Sequence, residues 1–362
     1  MATDSKPRNA ANPGERSSAL RDSREGFRLY HYLIFVAVTL LTVLLCVCVG
    51  SVNVPLGDTL RIIWASVTRQ PVPAGMSQSI ILFVRLPRVL CVALVGASLS
   101  LCGGVMQGLL RNPLADASTL GVSSGASLGA MVAIVFGITI PALPFTGTMT
   151  MAMLFALLSM LAILSLAHKL DRSLSTGTII LIGVIFSMFA SSVMSLLIAF
   201  SGENLRPIMF WTMGSLAGSN YVNVLTLLAA LVVCGAVILR HARELNAFAV
   251  GEDNARHVGV PVKRIKLTLM IAVSALVGVC VSVGGTIGFV GLVMPHITRM
   301  VSGPNHGRLL PGSLFSGAVF LMLSDLTART ILSPLELPIG VVTSFIGSIV
   351  FIYIFYSSRK AA

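Results

Sequence analysis

The chain has 362 residues, of which 55% are hydrophobic and only 10% are charged, and its mean hydropathy is +0.92. Because a soluble domain carries about 25% charged residues, this composition excludes an ordinary soluble protein and indicates an integral membrane protein. The net charge of +12 would fit a nucleic-acid partner. The Lys and Arg residues lie in short segments between apolar runs, however, as the positive-inside rule predicts. We therefore expect membrane lipid, and no nucleic acid, around this chain.

Long apolar runs divide the chain into predicted membrane-spanning helices. Runs of about 20 uncharged residues match the thickness of a bilayer core, and lipid admits only helices or closed barrels. Because the runs are continuous and do not alternate, we predict an all-α polytopic membrane protein, with a disordered cytoplasmic tail at 1–29 and a transmembrane domain at 30–360. Ten transmembrane helices are expected, at 31–53, 87–110, 118–138, 146–168, 175–201, 222–240, 267–287, 290–302, 309–329 and 338–357.

Two breaks decide the number of helices. Pro141 and Pro144 divide the uncharged stretch between residues 117 and 168 into two helices. Glycines between Gly284 and Gly291 divide a later stretch into one full helix and a short eighth helix. With ten helices and both termini cytoplasmic, 19 Lys and Arg lie inside and six outside, whereas joining the seventh and eighth helices gives 16 and nine. The ten-helix arrangement has the stronger positive-inside asymmetry.

Few side chains within the predicted spans could carry catalysis or ion coupling. Asp325 is the main acid inside a span, and Arg329 follows it four residues later on the same helical face. We expect a structural ion pair, with a proton relay as the alternative. His296 stands beside Pro295 and is expected to pack or cap and not to bind a metal. The sequence disfavours an enzyme, predicts neither a cofactor nor a resident metal, and leaves a gradient-driven transporter as one alternative.

The longest predicted inner loop, 241–266, is the candidate surface for a partner protein. No lysine in the chain follows a glycine, so the chain has no G-K-[ST] phosphate loop and ATP would have to be bound by another polypeptide. Leu245, Phe248 and Ala249 share one helical face; Gly251 should end that helix, and the acids after it should begin a second. Two short amphipathic helices suit docking into a partner's groove, and a passive interfacial loop fits equally well.

Seven motifs follow one another along the chain after the tail. They are Arg85–Arg88, Gln107 with Arg111–Ala115, Gly121–Ala126, Trp211–Ser215, Gly251–Val260, Gly288–His296 and Leu337–Thr343. With these motifs in this order, the chain resembles permease subunits of the FecCD-type family, which belong to ATP-driven importers of iron siderophores, haem and cobalamin. The resemblance covers nearly everything after the tail.

The resemblance implies a set of partners at the cytoplasmic membrane. Two permease subunits, identical or paralogous, would pair around a central pathway. An extracytoplasmic substrate-binding protein would contact Arg85, Arg88 and Arg329 through glutamates, and a pair of cytoplasmic ATP-binding subunits would dock on the inner loop. The coupling positions implied in that loop are Leu245, Phe248, Gly251, Glu252, Asp253, Ala255, Arg256 and Gly259.

The resemblance also implies a cytoplasmic gate formed by Asn112 and Leu114 on one side and by Thr176 and Gly177 on the other. Gly177 departs from the serine expected in the family, and Gly347–Phe351 lacks the usual Gly-Ala-Pro. The cargo expected is a ferric siderophore, with haem or cobalamin as the alternative. Serines on the fifth helix would either line a wide, weakly binding pathway or bond the backbone of their own helix; they are Ser187, Ser191, Ser192 and Ser195.

Overall fold

The computed structural model describes residues 26–50, 54–68, 70, 75–140, 147–172 and 174–360, and within these ranges it contains helices and no strand. Most of the predicted tail and the turn at Pro141 and Pro144 lie outside the described residues. The helices are α1 (Leu29–Cys48), α2 (Leu56–Val67), α3 (Leu86–Leu109), α4 (Val122–Val135), α5 (Gly147–Leu170), α6 (Thr176–Ala199), α7 (Leu205–Thr212), α8 (Tyr221–Arg240), α9 (Ala242–Val250), α10 (Glu252–His257), α11 (Val262–Gly284), α12 (Val290–Ser302), α13 (His306–Thr330) and α14 (Ile339–Lys360).

Each predicted span coincides with one of these helices, but not all of them are long enough to cross a bilayer unaided. In the described part of the chain, seven helices have the length and apolar character of a membrane span. Helix α4 has 14 residues and is about 21 Å long, which is shorter than the bilayer core of about 30 Å. The multi-span architecture is therefore present, and the count of ten crossings stays a prediction.

Three boundaries differ from those predicted by more than three residues. Helix α1 ends at Cys48, because Val49 is extended, whereas the apolar run suggested 53. Helix α11 begins at Val262, and α4 is preceded by a separate 3₁₀ turn at Ala117–Leu120. Helices α2 and α7 were missed because neither is an apolar run of spanning length. Both expose large apolar side chains, as helices at a membrane surface do.

Helix α3 is the centre of the bundle and is buried along almost its whole length. It is entered through a helical turn, Met76–Ser79, and a π-helical segment, Ile80–Arg85. Its closest neighbour is α13: a Cβ added at Gly96 or at Gly317 would overlap the other residue's carbonyl oxygen. The two backbones therefore touch, which is how small residues bring helices together in lipid.

Helices α4 and α5 pack in a similar way. A Cβ at Gly125 would overlap the Ser159 hydroxyl, and one at Gly129 would overlap the Met151 carbonyl oxygen. The small-residue face of the Gly121–Ala126 motif thus serves packing within this chain. Helices α3 and α13 form one close pair and α4 and α5 a second.

The predicted break between the seventh and eighth helices is present between α11 and α12. Gly285 and Phe289 both have positive φ, at 68° and 69°. Pro295, inside α12, has no N–H to donate to the carbonyl of Gly291. The buried Gln107 amide supplies the missing donor: its Nε2 donates to Gly291 O at 3.4 Å and to Leu292 O at 3.0 Å. The carbonyl that Pro295 leaves without its helical partner thus stays bonded, as lipid requires.

Helix α3 defines two ends of the molecule. With 24 residues it is about 36 Å long. The arginine end holds Arg85, the residue before α3, and Arg88, in the first turn of α3, and the loop end holds α9 and α10 beside its last turn. The end of α1 lies at the arginine end, where Cys46 O accepts from Arg329, and α14 starts from there, since Glu336 bonds Arg88. Both ends of the described chain therefore lie on the loop side.

Candidate transport site

The α9–α10 loop has the two short helices predicted from its sequence. Gly251, with φ 135°, separates them, and Glu252 and Asp253 begin α10. Two of the three residues of the predicted docking face do not reach the surface, and their coupling role stays a prediction. Leu245 and Phe248 are 0% exposed, as is Ala255 of α10, because the apolar face of each helix packs into the bundle, whereas Ala249 is exposed. The buried side chains anchor the loop and cannot contact a partner in this conformation.

The opposite face of the loop is the surface available to a partner. Val250 and Val258 are 70% and 73% exposed. Between them lie Asp253 and Arg256, which form an exposed ion pair of 3.4 Å. We call these four residues the loop surface. It combines exposed apolar side chains with charges of both signs, which suits a polar-rimmed protein contact.

Helix α9 is fastened to the start of α13. The Asn246 Oδ1 accepts from the backbone N–H of His306 at 2.8 Å and lies 2.8 Å from its ring Nδ1, and Asn246 Nδ2 donates to Asn305 Oδ1 at 3.1 Å. His306 is buried against α3 at Gly108, where a Cβ would overlap its ring. The first loop helix is thereby bound to the α3–α13 pair.

Helix α10 is fastened elsewhere, by a buried charged cluster. Lys266 is 1% exposed, and its Nζ donates to Glu252 Oε1 at 2.6 Å, to Leu174 O at 3.1 Å and to Thr176 Oγ1 at 3.4 Å. The Thr176 hydroxyl in turn donates to Glu252 Oε1 at 3.0 Å. Sequence analysis counted Lys266 only as an inner-side charge and missed this role.

The cluster lowers the pKa of Glu252. Burial raises that pKa, but the hydrogen bond and charge of Lys266, with smaller contributions from Thr176 and Arg256, outweigh the burial. Glu252 is therefore a carboxylate at neutral pH. The cluster is an ion pair bridged by a hydroxyl.

The Arg111-Asn112-Pro113 motif ends α3. Arg111 adopts a left-handed conformation, with φ 48°; its N–H donates to Gly108 O at 3.3 Å, and the next N–H donates to Gln107 O at 3.2 Å. This pattern is the Schellman motif, after which proline is common. Asn112 Oδ1 then accepts from the N–H of Leu114 at 2.9 Å. The motif places a fixed, exposed turn at the loop end.

The predicted gate residues occupy the loop end without forming one cluster. Asn112 and Leu114 are exposed, Thr176 is bonded to Glu252, and Gly177 is exposed with open space where a Cβ would stand. The gate role stays a prediction. The contact the structure adds is the one that ties Thr176 to the coupling loop.

The arginine end holds a second buried charged cluster. Arg88 Nε and Nη2 donate to Asp325 Oδ1 at 3.1 and 2.9 Å, and its Nη1 donates to Glu336 Oε2 at 2.8 Å. Arg329 Nε lies 3.0 Å from Asp325 Oδ2, an ion pair without hydrogen-bond alignment. The predicted Asp325–Arg329 pair is thus present, and Arg88 shares the same acid.

The other donors of this cluster cap α1. The last four carbonyls of a helix have no partner within it. In α1, Leu45 O accepts from the N–H of Val49, Cys46 O accepts from Arg329 at 3.0 Å, and Arg85 donates to the carbonyls of the two residues after Cys46 at 3.0 and 3.1 Å. Arginine also suits the negative end of the helix dipole. The cluster therefore joins α1, α3 and α13.

The three predicted docking arginines are brought together but are not presented to solvent. Arg85, Arg88 and Arg329 are 5%, 6% and 3% exposed. Glu336, which sequence analysis missed, is the accessible member, since its side chain is 34% exposed. Its signal was an acid between Pro334 and Pro338 in the short segment after α13. Contact with a binding protein stays a prediction, and in this structure it would require the Arg88–Glu336 pair to open.

A recess of about 380 Å³ opens inside the bundle, and most of its exposed lining is apolar. Ser123, Ser124 and Ser127 of α4 line it together with Ser118, in the turn before α4, and α6 contributes Met194. The predicted pathway serines lie elsewhere. Ser187 is half-buried, and Ser191, Ser192 and Ser195 are exposed on α6. The hydroxyls of Ser192 and Ser195 donate to Met188 O and Ser191 O at 3.0 and 2.9 Å. These two serines therefore bond the backbone of their own helix and are exposed as well, and their pathway role stays a prediction.

In the residues that the structure describes, seven apolar helices of spanning length, a recess between helices and a two-helix loop at one end indicate a multi-pass membrane transport subunit. Comparison with known proteins specifies the kind. The sequence profile of the FecCD transport family matches residues 38–357. The chain belongs to the FecCD transport family.

Two relatives extend the comparison. The chain is 42% identical over 331 residues to the ABC transporter permease protein YvrB of Bacillus subtilis strain 168, covering 91% of this chain and 94% of that protein. It is 38% identical over 322 residues to the vitamin B12 import system permease protein BtuC of Citrobacter koseri, covering 89% and 92%. A solved structure of an inward-facing metal-chelate type ABC transporter matches with a TM-score of 0.79 and 32% identity, covering 90% of this chain and 98% of that one.

These relationships fix the class of activity. The chain is a permease subunit of an ABC importer, a transport component and not an enzyme, and it is a multi-pass protein of the cytoplasmic membrane. Because an ABC permease is driven by ATP that separate subunits hydrolyse, a cytoplasmic ATPase and a second permease subunit are its implied partners.

Proposed function

We propose that this chain is one of two permease subunits that import a large metal chelate, driven by a pair of ATPases that dock on the loop surface. The observation that carries the proposal is the loop itself. Its inner face is anchored by Leu245 and Phe248, and its outer face exposes Val250 and Val258. A loop that only crossed the interface would not need two separate attachments to the bundle.

The ATPase is tested through the loop surface. Val250→Asp and Val258→Asp place a charge in the apolar part of the contact, so each should lower the amount of ATPase that purifies with the permease. Leu225, a 65% exposed residue on α8, is the matched control. Leu225→Ala should leave the complex intact. Wild-type retention of the ATPase by both loop variants would show that it binds elsewhere.

The set of candidate cargoes is limited by the names of the relatives and not by the structure. The ferric siderophore expected from the sequence remains one candidate. The relatives whose names state a cargo favour cobalamin: BtuC of Halobacterium salinarum is 41% identical over 278 residues, covering 77% of this chain and 73% of that protein, and BtuC of Citrobacter koseri is described above. We therefore propose a metal chelate of the corrinoid kind, with ferric siderophores second.

An uptake panel separates these cargoes. Cells that lack the chain and cells that express it with its partners would be given radiolabelled cobalamin, ferric siderophores and haem. Cobalamin uptake that depends on the chain supports the first proposal, whereas uptake of iron from a siderophore alone moves the cargo to the second. The panel does not depend on which residue binds which partner.

Coupling to ATP is tested separately from cargo. In liposomes that contain the chain alone, no inward transport of these chelates is expected, and transport should appear when the ATPase and the binding protein are added. Uptake by the chain alone under a sodium or pH gradient would establish the gradient-driven alternative. Among the described residues Asp325 is the one fully buried acid, and because it is already paired with two arginines it offers little support for that alternative.

We also propose that the extracytoplasmic binding protein docks at the arginine end. The cluster brings Arg88 and Arg329 to Asp325, and Glu336, its accessible acid, covers the Arg88 guanidinium. A glutamate from the binding protein would replace Glu336 on Arg88 and form a charge-assisted pair. Reversing Arg88 to Glu is a poor test, because it would bury a third acid beside Asp325 and unfold this end.

A further inference from the structure

The two loop helices are fastened to different parts of the bundle. Helix α9 is bound to the α3–α13 pair through neutral hydrogen bonds between Asn246 and His306. Helix α10 is bound to α11 and to the start of α6 through charge. A partner that moves α10 therefore pulls on a different helix from one that moves α9.

We infer that Glu252, Lys266 and Thr176 form a latch through which displacement of α10 is transmitted to α6. The inference rests on the proposed function, because it assumes that an ATPase moves the loop. Lys266 and Thr176 are the positioning residues, and Glu252 is the link to the loop surface. No contact with cargo is assigned to any of them.

Lys266 makes the latch stiff. An ammonium group has three donors, and Lys266 directs its contacts to α10, to the carbonyl of Leu174 in the turn before α6, and to Thr176 at its first turn. Removing one partner of a buried ion pair is strongly unfavourable. The three segments are therefore expected to move together and not to separate when α10 is displaced.

Helix α6 is a suitable receiver of such a movement. Thr176 is its first residue, and the helix has 24 residues, so a tilt at Thr176 is carried about 36 Å through the membrane. Met194, near its other end, lines the recess. Movement at the latch would therefore change the width of the recess, which is what a transport cycle requires.

The latch sits directly beneath the loop surface. Glu252 begins α10, and the next residue, Asp253, belongs to the exposed Asp253–Arg256 pair. Helix α9 is held more firmly, since it buries the large side chains of Leu245 and Phe248 in the bundle, whereas the buried residue of α10 is the small Ala255. The structure thus separates an anchored helix, α9, from a lever helix, α10.

The test measures the movement of α6 without needing a cargo. Spin labels on Leu181 of α6 and Leu166 of α5, both exposed, report the distance between the two helices in the permease–ATPase complex, with and without ATP. Cys48 and Cys234 are replaced by Ala beforehand, because they are the two cysteines that are not fully buried. ATP is expected to shift the distance distribution of the parent protein.

Glu252→Gln removes the charge of the latch while keeping its size. We expect the ATP-dependent equilibrium constant between the two distance populations to fall about tenfold, which is about 1.4 kcal/mol. Thr176→Val removes only the hydroxyl and should cause a smaller fall in the same direction. The control, Glu203→Gln, makes the same chemical change at an exposed position outside the loop and should leave the shift unchanged.

Three results would overturn the latch. They are an unaltered ATP-dependent shift in both Glu252→Gln and Thr176→Val, the same loss in Glu203→Gln, and no shift in the parent complex, which would mean that α6 is not the moving helix. A latch that serves stability alone would lower the unfolding temperature of Glu252→Gln and leave the shift intact. If the proposed function is wrong, the result differs from all of these, because the ATPase then forms no complex with the chain.

Discussion

Truncation of Phe248 tests whether the loop faces are assigned correctly. The Phe248 side chain is fully buried, and replacing a buried Phe by Ala costs about 3–5 kcal/mol. Because α9 has nine residues and separate attachments, we expect the cost to appear as local opening of the helix and not as global unfolding. A loss of about 3 kcal/mol makes the open state about 100-fold more populated.

Hydrogen–deuterium exchange of the α9 peptide measures this opening directly. In Phe248→Ala, the amides of α9 should exchange about 100-fold faster, while peptides from α3 and α13 keep their protection. Val250→Ala is the matched control, because Val250 lies in the same helix but is 70% exposed. It should leave α9 protected and weaken ATPase binding instead.

The opposite pattern would refute the assignment. If Phe248→Ala left the exchange of α9 unchanged and weakened ATPase binding as Val250→Ala does, the apolar face of α9 would be the docking face that the sequence first suggested. Loss of protection throughout the bundle would show that α9 does not open as a separate unit. Either result would remove the basis for separating an anchored face from a partner face.

Three further predictions concern other parts of the molecule. Glu336→Gln should raise the affinity of the binding protein, because the carboxylate that covers Arg88 is lost, and titration should show a fall if Glu336 is itself the contact. Gln107→Leu should lower stability by about 1–3 kcal/mol, seen as a lower unfolding temperature in detergent, because Gly291 O and Leu292 O lose their donor; an unchanged temperature would show that the break needs no side-chain donor. The pKa of Glu252 is lower in the folded state than its ordinary value of 4.5, so the latch stabilises α10 above pH 4.5 and loses that effect as the pH falls through the lower folded-state pKa. In hydrogen exchange, the amides of α10 should stay protected from neutral pH down to about 5 and lose protection below 4.5. Loss of protection near neutral pH would contradict the cluster.

The spans were predictable because their information is local. Runs of about 20 apolar residues and helix-breaking residues set the helices, and the glycines before α12 marked a break that the structure contains. Local signals also gave the two loop helices, since Gly251 and the acids after it are neighbours in sequence. The last carbonyls of α1 are bonded by Arg85 and Arg329, which are distant in sequence, so the end of this helix was predicted less accurately.

Sequence periodicity does not determine whether the apolar face of a loop helix points toward the bundle or toward a partner. Leu245 and Phe248 share a helical face whether that face meets a partner or the same chain. The deciding fact is the depth at which the rest of the bundle holds α9, and that depends on Asn246 meeting His306, 60 residues later. An amphipathic helix beside a membrane protein therefore needs a structure before its apolar face is assigned to a partner.

Burial of the charged residues could not be predicted from the sequence either. Arg88 and Asp325 are 237 residues apart, and only their contact shows that an arginine at the start of a span is an internal partner as well as a candidate anchor. Lys266 looked like an ordinary inner-side charge because positive-inside counting treats every lysine alike. Its contacts with Glu252 and Thr176 give it a specific place in the molecule.

The two charged clusters divide the bundle in a way that limits which helices can move. At the arginine end, Arg88 and Arg329 join α1, α3 and α13, and at the loop end Asn246 and His306 hold α9 against the same group. The group of α1, α3 and α13 is therefore held by side-chain contacts at both ends of the bundle. Helix α6 is held at the loop end by the latch, on the side of the bundle where α4 and α5 pack together, and the recess lies between the two groups. Displacement of α10 is therefore expected to change the recess by moving α6, because α3 and α13 are held by contacts at both of their ends.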